Sequence, residues 1–250
     1  VALLGATPVF VDIEKDSYLI NADLIEEKIT EKTKAIIPVS LYGQIPDMDA
    51  INAVANRYSK LNQQKIYVIE DAAQSFGATY KGKKSCNVSE VATTSFFPTK
   101  PLGCYGDGGA IFTSDDALAG IIKEVRSHGQ SAHYHHIRVG VNSRLDTLQA
   151  AILQDKLKHF DSQVLKRQQI AERYNQEYKD QDVITPIVLP ERSHVYGQYT
   201  LRVQNREGFR ESLQAQGIPS CVHCPIPLHQ QPAFSDSTAY CPVAEQLHEK

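Results

Sequence analysis

The chain has 250 residues, 42% of them hydrophobic and 22% charged, and a formal net charge of -3. This suffices for one substantial core or a core with a smaller appendage, and it excludes the broadly basic surface that nucleic acid or an anionic membrane would require. No apolar run approaches the roughly 20 residues of a spanning helix, and five scattered cysteines suit reduced thiols in the cytoplasm better than a disulfide framework.

The chain opens in an apolar segment, Val1 to Leu4, with neither an initiator methionine nor a signal peptide, and it stops inside what reads as a young helix from Val243 to Lys250. Both ends read as cut. Apolar, β-branched runs recur at Pro8 to Val11, Ala35 to Leu41, Ile66 to Ile69 and Ala110 to Thr113, and read as buried parallel strands. Between them, Ala22 to Ile29 and Met48 to Tyr58 have helical spacing, the second entered through Asp47 as its N-cap. The alternation predicts an α/β fold with a mostly parallel sheet.

Ser114 is placed to cap a helix that begins at Asp115 and continues through Leu118 to Ser127, and a His-rich loop follows from His128 to Val141. From Ser143 a long amphipathic run, with Leu145, Leu148, Ile152, Leu153 and Leu157 on one side, predicts a bridging helix that reaches Tyr178. Beyond it, Val195 to Val203 alternates like a half-exposed strand, Arg206 to Gln216 reads as a helix ended by Gly217, and Pro219 to Pro227 is extended. The expected organisation is a large domain over 1–142, a bridging helix over 143–178 and a small α+β domain over 179–250.

Two segments carry chemistry. Ile66 to Gln74 ends a strand on Glu70 and Asp71, where open α/β sheets place their ligands, although an acid after a strand also commonly caps a helix. Thr94 to Lys100 leads into Pro101 and four glycines before Ala110, which sets Lys100 on a rigid turn between Pro98 and Pro101. A lysine in isolation reads as solvated. A pyridoxal-phosphate (PLP) enzyme, however, needs a lysine for the Schiff base, an acid to keep the pyridine nitrogen protonated and donors for the phosphate. Lys100, Asp71 and Ser95 supply one each.

Through EDAAQSFGA, then SFFPTK with its Gly-rich turn, then GVNSRLDTLQAAIL, the chain resembles the DegT/DnrJ/EryC1/StrS family of PLP-dependent sugar aminotransferases, from Val1 to about Pro227. The resemblance implies PLP-dependent transferase fold type I, aspartate aminotransferase-like. It also implies that Asp71 pairs with the pyridinium nitrogen, Gln74 meets the ring's phenolic oxygen, Ser95 binds the phosphate and Lys100 carries the cofactor. By the same likeness Asn142 reaches the phosphate in the neighbouring subunit and Arg144 lies near that subunit's substrate, which implies a homodimer with shared sites, while Asn142 and Ser143 could instead cap the long helix. His223 matches a histidine near the sugar nucleotide, but Cys224 stands where a tyrosine is expected. Segments such as IIPVSLYGQ imply a UDP-linked keto sugar, UDP-2-acetamido-2-deoxy-3-oxo-glucuronate, as acceptor and L-glutamate as amino donor. Family members also carry a further βα region before the position of Val1, with a phosphate-binding loop. Lys100 argues against the family's dehydratases, which have histidine there, and a non-catalytic regulatory or sugar-binding module is the alternative. Cys221, His223, Cys224 and His229 do not have the spacing of a standard zinc site, and no metal is expected.

Overall fold

The computed structural model describes residues 1–234 and 239–249; Lys250, the last residue of the predicted terminal helix, lies outside them. Among the described residues ten short strands occur in chain order: β1 (Ala35–Ile36), β2 (Tyr67–Asp71), β3 (Thr79–Tyr80), β4 (Lys83–Lys84), β5 (Val91–Ser95), β6 (Gly109–Thr113), β7 (Gln130–Ala132), β8 (His135–His136), β9 (Val183–Ile184) and β10 (Arg202–Val203). Six α-helices accompany them: α1 (Met48–Leu61), α2 (Asp116–Arg126), α3 (Thr147–Leu157), α4 (Phe160–Glu177), α5 (Arg206–Ala215) and α6 (Pro242–Leu247). The central sheet has the order β1-β2-β5-β6, and the other strands form three two-stranded pairs.

β1 runs parallel to β2, as the apolar runs predict; β5, which none of those runs covers, is also parallel to β2, whereas β6, expected to be parallel, is antiparallel to β5. The reversal follows from the connection. A parallel crossover needs a dozen or more residues, usually helical, and the proline- and glycine-rich stretch between β5 and β6 cannot form a helix. It folds back on itself instead, with Cys104 N–H donating to Phe96 O and Phe96 N–H donating to Gly108 O, both at 2.8 Å.

Several sequence expectations are corrected here. Pro8 to Val11 forms no strand, and the chain pairs only through an isolated bridge between Ile13 and Ile20. Ala22 to Ile29 is two 3₁₀ turns, because Ala22 and Ile25 alone supply the buried contacts and Ile29 is extended. The N-cap of α2 is Asp115, whose Oδ1 accepts from Leu118 N, rather than Ser114. The His-rich loop contains the β7-β8 hairpin. The predicted long helix is two, α3 and α4, broken at Lys158–His159, and its N-terminal end lies at Thr147 with Asp146 as N-cap, so neither Asn142 nor Ser143 caps it. That break turns Phe160 into the core beside Phe76, at 5.6 Å between ring centroids. Val195 to Val203 is a strand only at Arg202–Val203, because Val195 is drawn into the core by a bond from its N–H to Gly43 O.

Other expectations hold. Asp47 caps α1 through Ala50 N, and Gly217, with φ of 72°, follows the end of α5. All five cysteines are free thiols. Among the described residues no helix is long and apolar enough to cross a membrane.

The larger apolar cluster joins Ile36, Ile45, Met48, Ile51, Ile66, Val68 and Val195 between α1 and the sheet, and a second joins Phe96, Leu102, Cys104, Leu153 and Phe160. Gly77 seats the second cluster. Its φ is +94°, and an added Cβ would lie 2.5 Å from the Phe160 ring. Gly77→Ala therefore meets both backbone strain and overpacking and is expected to lower stability by about 3 kcal/mol, measured as a shift in the urea midpoint.

His194 is buried beneath Tyr196 at 4.1 Å between ring centroids, and its Nδ1 accepts the Tyr196 N–H at 2.9 Å. Burial pushes its pKa down to about 4. The unfolded chain binds this proton below about pH 6.5 and the folded chain only below about pH 4, so stability is full above pH 6.5 and falls on acidification through that window. The expected loss is on the order of 3 kcal/mol, read by denaturant titration at each pH. His194→Gln should remove that part of the slope.

A long-range contact closes the fold. Asp12 is buried, and its carboxylate accepts from Val243 N at 2.8 Å and from Ala244 N at 3.0 Å, the first turn of α6.

Candidate active site

The parallel strands β1, β2 and β5 deliver their C-terminal ends to one edge of the sheet, the position at which α/β folds hold ligands. Asp71 is the last residue of β2, half-buried, and its backbone is fixed on both sides. Asp71 N–H donates to Pro38 O and Asp71 O accepts from Ser40 N, both at 2.9 Å. Its Oδ1 accepts from Ala73 N at 3.0 Å. Because strand side chains alternate, the preceding Glu70 points to the opposite face and is fully buried.

Gln74 lies in the turn that follows. Its Oε1 accepts the N–H of Tyr42 at 2.6 Å, and a backbone N–H can only donate, so the amide orientation is determined and Nε2 is left as a donor. Tyr42 holds φ at 59°, an uncommon conformation for a bulky residue. Burial first, then the neighbouring Cys224 and Tyr18, push its phenol up to about 12. Cys224 is thus in the neighbourhood of Tyr42, while His223 itself is exposed.

Ser95 ends β5, opposite Gly109 of β6, and its Oγ accepts from Phe97 N at 3.2 Å. Lys100 follows in a turn closed by Lys100 N–H to Phe97 O at 2.9 Å. Among the described residues its amine has no hydrogen bond or ion pair. Gly197 ties this turn to the Gln74 turn, since an added Cβ would sit 2.9 Å from Gln74 O and 3.6 Å from Pro101 Cγ. Asp71, Gln74, Ser95 and Lys100 therefore lie on neighbouring strand ends and turns of one edge.

Asn142 and Arg144 are bonded to each other. Both are exposed, and Asn142 Oδ1 accepts from Arg144 Nε at 3.0 Å and Nη2 at 2.7 Å. Among the described residues, no hydrogen bond or ion pair joins either to Asp71, Gln74, Ser95 or Lys100. Two participants escaped the sequence reading, Tyr42 and Gly197, and Glu70 stands in it only as the acid beside Asp71, with no role of its own. A small residue after an aromatic one, in Tyr42-Gly43 and Tyr196-Gly197, is the only local sign that backbones approach closely at these points.

The donor set suits PLP. It offers a half-buried carboxylate for a cationic ring nitrogen, an amide N–H₂ left unpaired by Tyr42, a hydroxyl at a strand end and an unpaired amine on a rigid turn. Among the described residues no cluster of three or more metal-ligating side chains occurs.

This architecture is that of the PLP-dependent transferases of fold type I. The DegT/DnrJ/EryC1/StrS aminotransferase family model matches residues 1–250, and the chain belongs to that family. It is 58% identical to the UDP-2-acetamido-2-deoxy-3-oxo-D-glucuronate aminotransferase of Pseudomonas aeruginosa, over 98% of this chain and 67% of that one. It is 47% identical to the pleiotropic regulatory protein of Geobacillus stearothermophilus, over 94% of this chain and 62% of that one. The crystal structure of S. venezuelae DesV in complex with a ketimine intermediate superposes with a TM-score of 0.93 at 37% identity, over 99% of this chain and 66% of that one. The chain thus spans about two thirds of the length of these relatives.

Proposed function

We propose that this chain is the greater part of a PLP-dependent aminotransferase that acts on a UDP-linked keto sugar, UDP-2-acetamido-2-deoxy-3-oxo-glucuronate, with L-glutamate as amino donor. The observation that carries this reading is the single sheet edge that presents Asp71, Gln74 and Lys100 together, combined with 58% identity to an enzyme named for that substrate. The product would enter surface polysaccharide synthesis such as that of O-antigen or lipopolysaccharide. The setting is the cytoplasm.

When bound, the cofactor supplies an electron-accepting pyridinium ring and a carbon that takes up the amino group. Asp71 would hold the proton on the ring nitrogen, its carboxylate oriented by the Ala73 N–H. Gln74 Nε2 would donate to the ring's phenolic oxygen, its other end fixed by Tyr42 N–H. Ser95 would bind the phosphate. Lys100 would hold the cofactor covalently at rest and, once released, would move the proton from the donor's α-carbon to the carbon that bears the nitrogen. His223 and Arg144 would contact substrate. Asn142 and Arg144, both exposed, would serve the site of a second copy in a homodimer. On this reading residues 1–142 form the cofactor-binding part, α3 and α4 the bridge and 179–250 the small domain.

A second reading, a regulatory module that keeps the fold without turnover, is favoured by the likeness to the pleiotropic regulatory protein. An absorbance scan of the full-length protein with PLP decides between them. A visible band of lysine-bound cofactor that L-glutamate bleaches supports the aminotransferase, a band indifferent to every amino donor supports the module, and no band overturns both assignments of Lys100.

A further inference from the structure

Behind Asp71, on the other face of β2, lies a buried carboxyl that the proposed chemistry does not use. Glu70 is fully buried. Its Oε1 accepts from Ser40 Oγ at 2.9 Å and from Ser85 Oγ at 3.1 Å, and its Oε2 accepts from Cys86 N at 2.7 Å. Burial pushes its pKa up against these three donors, and the adjacent Asp71 adds to the rise. A carboxylate buried at this depth persists only where such donors converge on it.

The two serines lead back to the site by separate routes. Ser85 gives its one hydroxyl hydrogen to Glu70, so it accepts from Ser75 Oγ at 3.0 Å. Ser75 is the residue after Gln74. On the other side, Ser40 stands two residues before Tyr42, whose N–H is bound by Gln74 Oε1. The circuit closes: Glu70, Ser40, Tyr42, Gln74, Ser75, Ser85 and back to Glu70. Asp71 lies inside it, with its backbone carbonyl bonded to Ser40 N.

The geometry points to Glu70 as a positioning residue that locks the Gln74 amide and the Asp71 strand end in place through this ring of four hydrogen bonds joined by two short stretches of backbone. The inference rests on the proposed roles of Asp71 and Gln74. The Glu70 carboxylate bonds to neither the Gln74 amide nor the Asp71 side chain; it acts through Ser40 and Ser85. Without it, Tyr42 N–H and Gln74 Oε1 lose their fixed separation, and Gln74 Nε2 is no longer aimed.

The test compares full-length Glu70→Ala and Glu70→Gln with the natural protein in two measurements. The first is hydrogen exchange of the Tyr42 amide in the cofactor-free protein, with the Val68 and Ala92 amides of the sheet as references. In Glu70→Ala the Tyr42 amide should lose at least about tenfold of its protection while Val68 and Ala92 change little, which a general loss of stability would not produce. The second is the PLP dissociation constant from the visible band, which should rise about tenfold, the size of one lost hydrogen bond to a charged group. Glu70→Gln can turn its carbonyl to Cys86 N and its amide to the two hydroxyls, so it should restore most of both. If Glu70→Ala does not fold, Ser40→Ala and Ser85→Ala each cut one arm of the ring and should each show part of both effects. Folded variants with unchanged Tyr42 protection overturn the ring. Lost protection with an unchanged dissociation constant overturns the positioning role. A natural protein without a cofactor band overturns the reading of Lys100 and the positioning role with it, while the exchange result still decides the ring by itself.

Discussion

Lys100→Arg is expected to fold, to lose the visible band of lysine-bound cofactor and to lose turnover by at least about 1,000-fold, the combined range of a lost nucleophile and a lost general base. The guanidinium keeps the positive charge but remains protonated at any working pH, so it can neither attack the cofactor's carbon nor accept a proton. The turn should tolerate it. Pro98 and Pro101 constrain the backbone, Lys100 N–H is already bonded to Phe97 O, and among the described residues the amine has no hydrogen bond or ion pair. Lys123→Arg on α2 serves as the control and should leave turnover unchanged. Substantial transamination by Lys100→Arg would sink the assignment.

Asp71→Asn should have the second largest effect, a fall in turnover of roughly 100- to 1,000-fold, comparable to removing one preorganised electrostatic group from an active site. The change is nearly isosteric. Asn Oδ1 can still accept from Ala73 N, and the backbone bonds to Pro38 and Ser40 do not involve the side chain. What is lost is the negative charge opposite the ring nitrogen. The variant should therefore still show the lysine-bound band and still unfold near the natural denaturant midpoint, while single-turnover transfer from L-glutamate slows. A variant with full turnover would return Asp71 to the role of a local cap for the Ala73 turn.

The sequence made some of this architecture legible because the signal was local. Ala35 to Leu41 and Ile66 to Ile69 are β-branched and apolar, and Asp47 and Gly217 sit where helix boundaries require them. β5 was hidden because Thr93, Thr94 and Ser95 are polar, and their hydroxyls turn to backbone and turn partners, such as Thr94 Oγ1 to Ala72 O at 3.1 Å. The direction of β6 depends on where the chain returns after the Gly-rich turn, which periodicity does not encode. The break between α3 and α4 has no proline or glycine to announce it; it comes from Phe160 finding the space over Gly77.

The same division applies to the site. Asp71, Gln74, Ser95 and Lys100 stand out because chemistry and motif spacing coincide within 30 residues. Tyr42 and Glu70 do not, because their roles arise from contacts between segments about 30 residues apart. Gly197 comes from still farther along the chain. A ring of hydrogen bonds assembled from separate loops leaves no pattern in any one of them.

The carboxylate of Asp12 on the first turn of α6 has a consequence for the order of events during synthesis. Cys241, at the N-cap of α6, has no side-chain cap bond, so the helix takes its capping group from a residue made some 230 positions earlier. A nascent chain therefore carries Asp12 with only the local Ile13 N–H as partner until the α6 segment has left the ribosome. Asp12 and α6 can lock only after that segment emerges, so resistance of the early segment to protease should rise at that point rather than build up with length.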